Sequence, residues 1–130
     1  FTDGAELTIV NSGTINSDSS KAINVSNSDG VSITNNNKGV IKSNNNTILG
    51  DAGSGAVNTT INNSGEIYSS ATGTESSAIV FADDDTGNTI TNNSGGEIYS
   101  EGNESTIVLG VSSTLTNSGS ITINGTVTVD

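Results

Sequence analysis

The sequence has no cysteine, proline, histidine or arginine, and only four of its residues are aromatic, two tyrosines and two phenylalanines. Without cysteine it offers neither a disulfide framework nor a thiolate metal site. With three lysines (Lys21, Lys38, Lys42) against 14 acidic residues, the net charge is −11. A chain so acidic repels nucleic acid and anionic lipid, because both are held chiefly by Arg and Lys. No segment approaches the roughly 20 apolar residues of a membrane-spanning helix, so neither a nucleic-acid partner nor a membrane span is expected. Basic catalysis is also poorly served, with no histidine and the lysines confined to the first third of the chain.

What remains is Asn, Ser, Thr and Gly, interleaved with Ile and Val. The apolar share is 30%, low enough to suggest disorder. Periodicity argues otherwise. Asn11-Ser12-Gly13-Thr14-Ile15 returns as Asn37-Lys38-Gly39-Val40-Ile41 and as Asn63-Ser64-Gly65-Glu66-Ile67. It returns again as Asn93-Ser94-Gly95-Gly96-Glu97-Ile98 and as Asn117-Ser118-Gly119-Ser120-Ile121. Five copies at steps of roughly 23 to 31 residues are the mark of a stacked repeat.

Two further motifs share the period. Thr8-Ile9, Ser32-Ile33, Thr60-Ile61, Thr89-Ile90 and Thr114-Leu115 precede the copies. Ala22-Ile23, Thr47-Ile48, Ala78-Ile79, Thr106-Ile107 and Thr126-Val127 follow them. No segment holds a 3.6-residue period. Three short strands per repeat predict an all-β chain, a single parallel β-helix over residues 1–130. About five coils are expected, at 1–29, 30–56, 57–86, 87–111 and 112–130. At about 4.8 Å per coil the rod would be roughly 24 Å tall.

Three inward ladders follow: Ile15, Ile41, Ile67, Ile98 and Ile121; Ile9, Ile33, Ile61, Ile90 and Leu115; and Ile23, Ile48, Ile79, Ile107 and Val127. Val25, Phe81, Leu109 and Val129 are expected beside the last. Burying about fifteen such side chains, at roughly 1.5–3 kcal/mol each, offsets the ordering of the chain. The glycine of each Asn-x-Gly is expected at positive φ, and the asparagine before it is expected to stack along the axis or to form the turn.

The N-S-G-x-I unit followed by a small-apolar strand resembles the repeats of autotransporter passenger domains and related bacterial surface β-helices, from Leu7 to Val129. The resemblance implies export to the surface of a Gram-negative bacterium and an adhesive or scaffolding role. Passenger domains tend to be much longer, so a fragment or an unusually small relative is expected.

Glu66 and Glu97 fall at equivalent positions, but their neighbours give no sign of tuning an acid, and polysaccharide cleavage is the remotest reading. The chain is not expected to be an enzyme. An ice-binding face would need a repeated T-x-T array, which only Thr114-Leu115-Thr116 and Thr126-Val127-Thr128 approach. Acidic residues recur at one corner, as Asp29, Asp51 and Asp83-Asp84-Asp85. Oxygen-rich loops suit calcium, although the spacing matches no EF-hand, and a solvated acidic edge is the plainer reading.

Along the third strand the outward positions are apolar: Leu49, Val80 and Val108, with Val111 near them. A solvated face alternates apolar with polar, so a partner or a covering loop from residues 70–77 is expected. The termini carry no proline and no helical cap. Phe1-Thr2-Asp3 echoes Phe81-Ala82-Asp83, and the chain closes on the strand-forming Thr126, Val127, Thr128 and Val129. End-to-end self-association is therefore expected. The leading expectation is an extracellular structural solenoid on a bacterial surface, self-associating end to end and laterally. The alternative is an adhesin binding a host or matrix ligand.

Overall fold

The computed structural model describes residues 6–50, 55–82 and 84–123. Its fourteen strands, numbered in chain order, are short and all pair in parallel. The first sheet stacks β1 (Thr8–Asn11), β4 (Ser32–Asn35), β7 (Thr60–Asn63), β10 (Thr89–Asn92) and β13 (Thr114–Asn117). The second stacks β2 (Thr14–Ser17), β5 (Val40–Ser43), β8 (Glu66–Ser69), β11 (Glu97–Ser100) and β14 (Ser120–Ile123). The third holds β3 (Ile23–Asn24), β6 (Ile48–Leu49), β9 (Ile79–Val80) and β12 (Ile107–Val108). Three strands per coil wind through four full turns, and no helix occurs among the described residues. The fifth rung of the third sheet, expected at Thr126–Val129, lies outside the described residues.

In the middle coils the first two strands alternate an outward Ser, Thr, Val or Glu with an inward Ile, then end on an inward Asn or Ser. The third is only two residues long and opens on an inward Ile in every described coil. At a fourth point the coils touch through single bridges, Asp29 to Val57, Val57 to Thr86 and Thr86 to Val111.

The expected Ile ladders are in register, Ile9–Ile33–Ile61–Ile90–Leu115 and Ile15–Ile41–Ile67–Ile98–Ile121. In the middle coils Ile33, Ile41, Ile48, Ile61, Ile67, Ile79, Phe81, Ile90 and Ile98 are fully buried. The outermost rungs differ. Leu115 and Leu109, expected inside, are 37% and 41% exposed, while Ile9, Ile15, Ile107 and Ile121 are only partly buried. Among the described residues each of these rungs is packed from one side only.

Beside the Ile ladder of the first sheet runs a second inward ladder, of asparagine. Its members are Asn11, Asn35, Asn63, Asn92 and Asn117. In the second and fourth coils this corrects the repeat alignment, which put Asn37 and Asn93 at that place. The corner there has four residues from asparagine to glycine, not two, and closes by its own backbone turn, Gly39 N–H to Asn36 O (2.8 Å) and Gly96 N–H to Asn93 O (2.9 Å).

Left-handed backbone is also displaced from its expected place. Of the Asn-x-Gly glycines only Gly95 has positive φ (84°). Gly39, Gly65, Gly96 and Gly119 are required for space: a Cβ on Gly65 would sit 2.6 Å from the Asn36 carbonyl oxygen, and one on Gly96 2.7 Å from that of Asn63. The repeated left-handed corner is the one after each single bridge, at Gly30 (72°), Asn58 (54°), Gly87 (67°) and Ser112 (56°). Gly and Asn adopt that conformation most cheaply.

Ile67, enclosed on all sides, should lose about 2–5 kcal/mol of stability on replacement by alanine. Its outward neighbour Glu66 should lose no more than about 0.5 kcal/mol on the same change. Denaturant unfolding of Ile67→Ala and Glu66→Ala checks the assignment of faces. Equal losses would refute it.

Candidate functional site

The interior is filled by isoleucine and closed by polar ladders, so any chemistry lies on the outward columns of the three sheets and at their corners. On the third sheet the outward column is Asn24, Leu49, Val80 and Val108, in register. Leu49 and Val80 are half-buried, Val108 is 37% exposed and Val111 56%. Of the segment 70–77, expected as a cover, Thr74, Glu75 and Ser77 line a groove of about 520 Å³ together with Val80 and Val108. Asn103, Glu104 and Ser105, from the equivalent corner one coil on, line it as well. The two loops are tied together, with the Ser76 N–H donating to Glu104 Oε2 at 3.2 Å. Glu75 accepts from Asn45 Nδ2 (2.9 Å) and pairs with Lys21 (3.6 Å). The hydrogen bond and the ammonium hold its carboxyl below the usual range.

The acidic corner divides. Asp51 and Asp83 lie outside the described residues, as do Phe1, Thr126, Val127, Thr128 and Val129. Asp84 is exposed, and Asp29 accepts from Asn58 Nδ2 at 3.0 Å. Asp85 is fully buried and accepts from the backbone N–H groups of Ala56 and Ala82, the latter at 2.6 Å. It thus links the corners of two successive coils. Among the described residues no three acidic side chains are gathered as a metal site.

The second sheet carries a feature that the repeat search passed over. Its outward column reads Asn16, Lys42, Tyr68, Tyr99 and Thr122. The chain's two tyrosines stack face to face, with ring centroids 4.5 Å apart and planes 6° from parallel. Lys42 Nζ lies 6.0 Å from the Tyr68 ring centre, on the rung below. The neighbouring outward column holds Val40, Glu66, Glu97 and Ser120, so Glu66 and Glu97 are side by side and exposed. Glu-Ile-Tyr-Ser at 66–69 and 97–100 announces the stack in the sequence, once both the inward Ile and the residue after it are followed from coil to coil.

Among the described residues the column above Tyr99 ends in the short Thr122. A cavity of about 310 Å³ opens there, walled by Glu97, Glu101, Ser120 and Thr122 with Tyr99 among its lining. Burial raises the Tyr99 phenol to about 12, and Tyr68, Glu66, Glu101 and Glu97 add to the shift by disfavouring a further negative charge. Comparisons with protein-family models, with characterised proteins and with solved structures gave no match.

An unfolded tyrosine ionises near 10.0 and Tyr99 near 12. Between those values the unfolded chain has released a proton that the folded chain keeps, so stability falls as pH rises through that window. Thermal melting at pH values spanning it should show this fall, and Tyr99→Phe should lose less than the parent. An identical fall in both would remove Tyr99 as its source.

Proposed function

We propose that this chain is an extracellular structural β-solenoid whose copies stack head to tail into a fibre or stalk on a bacterial surface. The observation that carries the reading is the direction of the asparagine ladder. Every amide donates the same way, from Asn11 to Asn35, Asn35 to Asn63, Asn63 to Asn92 and Asn92 to Asn117, at 2.8–2.9 Å. Among the described residues the Asn117 amide N–H group has no acceptor, while Asn11 Oδ1 takes only the N–H of Gly13. One end is therefore a donor and the other an acceptor.

A second copy placed one rung above β13 would bring its Asn11 over Asn117 and its Ile9 over Leu115. The amide ladder and the isoleucine ladder would both continue. Such a contact joins unlike surfaces without closing a ring, which is the geometry of a filament. The surface location rests on the acidic, cysteine-free composition and on the resemblance to passenger repeats. An adhesive role is the second reading, and it is favoured by the groove that joins Val80 and Val108 to the polar corner residues Thr74, Glu75, Ser77, Asn103, Glu104 and Ser105.

The same register supplies the test. In a stacked pair Val10, 64% exposed, would lie beside Thr116 of the copy below, at about the 4.8 Å rung spacing, within the range a disulfide spans. Since the chain has no cysteine, Val10→Cys with Thr116→Cys in one chain should give a ladder of covalent oligomers on oxidation. Neither single variant should do so. A double variant that stays monomeric under oxidation at high concentration would overturn the stacking.

A further inference from the structure

Among the described residues the stacked column of the second sheet leaves one face of its tyrosine pair uncovered. Lys42 lies beneath Tyr68, and Tyr68 and Tyr99 cover one another. Among the described residues the upper side of Tyr99 meets only Thr122, whose side chain is too short to cover a phenol ring, and the cavity of about 310 Å³ opens there. Its walls carry two carboxylates, Glu97 and Glu101, and the hydroxyls of Ser120 and Thr122. The ion pair found among the described residues joins Lys21 to Glu75. Neither Glu97 nor Glu101 has a cationic partner there.

We propose that this cavity receives the guanidinium of an arginine side chain, presented by an exposed segment of a different protein. A planar cation continues the stack on the aromatic face, while its N–H groups reach the carboxylates on either wall. The chain already shows the same pairing in miniature, a lysine ammonium against the opposite end of the tyrosine pair. Arginine suits the cavity better than lysine, because a flat guanidinium stacks on the ring and forks toward carboxylates, and an ammonium does neither. This chain has no arginine, so the donor is another protein, not a second copy.

Charge favours the encounter. At a net −11 the chain attracts basic segments over distance. Burial first, with Glu101 and Glu97 among the smaller causes, raises the Tyr99 phenol to about 12, further still from the ordinary pH range. The cavity opens on the outward face of the last described rung of the second sheet, so a copy stacked there would place its Asn16 above Thr122; peptide titration and the disulfide test read the two proposals separately.

The experiment titrates the intact protein with three blocked tripeptides, acetyl-Gly-Arg-Gly-amide and its lysine and citrulline counterparts, by calorimetry. Tyrosine emission is the second readout, because the chain has no tryptophan and its emission comes from Tyr68 and Tyr99 alone. The arginine peptide should bind saturably, and more weakly as salt is raised. Its affinity should fall about tenfold in Tyr99→Leu and again in the double variant Glu97→Gln, Glu101→Gln, and be retained in Tyr99→Phe. Circular dichroism checks that each variant is folded, and the carboxylate double variant decides the matter alone if Tyr99→Leu is not. No saturable binding, equal binding of the citrulline or lysine peptide, or binding unaffected by both sets of variants would each overturn the proposal.

Discussion

Most of this structure depends on a side-chain amide that bonds to its own copies. In each middle coil the asparagine Nδ2 group faces three acceptors: the next asparagine's Oδ1, the carbonyl of its own corner glycine and a carbonyl of the coil above. For Asn63 these are Asn92 Oδ1 (2.8 Å), Gly65 O (3.0 Å) and Glu97 O (3.1 Å). For Asn35 they are Asn63 Oδ1 (2.8 Å), Gly39 O (3.0 Å) and Glu66 O (3.1 Å). Where a strand turns a corner its backbone groups point away from the sheet ladder, and burying them unpaired is costly. The amide satisfies them from inside. It also explains the glycine: the next coil comes so close that a Cβ on Gly39 or Gly65 would collide with the chain of the coil before it.

A chain only 30% apolar needs this kind of interior. Its isoleucines fill three narrow columns, and polar ladders close the gaps between them. At the next corner serine and threonine do the work of asparagine: Ser69 Oγ donates to Asn45 O at 2.7 Å, Thr47 Oγ1 to Tyr68 O at 2.7 Å and Thr106 Oγ1 to Thr122 O at 2.9 Å. At the corner before β10, Asn88 accepts the Thr59 N–H (2.8 Å) and donates to Ala56 O (3.1 Å), beside the buried Asp85. With interior and corners fixed in this way, the outward columns are free to carry function. One such column holds a lysine and two stacked tyrosines, and another holds Leu49, Val80 and Val108.

The isoleucine period was plain in the sequence because an inward position repeats its chemistry in every coil. Ile33, Ile61 and Ile90 could be placed on one ladder with no structure at all. The asparagine ladder was harder to read. Asn35, Asn36 and Asn37 are consecutive, and an alignment anchored on the glycine selects Asn37, whereas the fold selects Asn35 because the strand carries its register up to the corner. Left-handed turns were misplaced for a related reason: glycine answers both a demand for positive φ and a demand for space, and letters do not separate the two. Gly65 serves space and Gly87 serves conformation. The tyrosine stack was missed because Tyr68 and Tyr99 replace Lys42 on an outward column, where no burial enforces repetition.

The account stands or falls on the amide at Asn63. Replacing it by alanine removes the bonds to Asn35, Asn92, Gly65 and Glu97 and leaves buried groups with no water to take their place. Asn62 is next in sequence but faces outward. Equilibrium unfolding of Asn63→Ala against Asn62→Ala isolates the ladder. The account predicts a loss of about 2–4 kcal/mol for Asn63→Ala and no more than about 0.5 kcal/mol for Asn62→Ala. Comparable small losses in both would contradict it, and would leave the isoleucine columns as the sole source of the fold's stability.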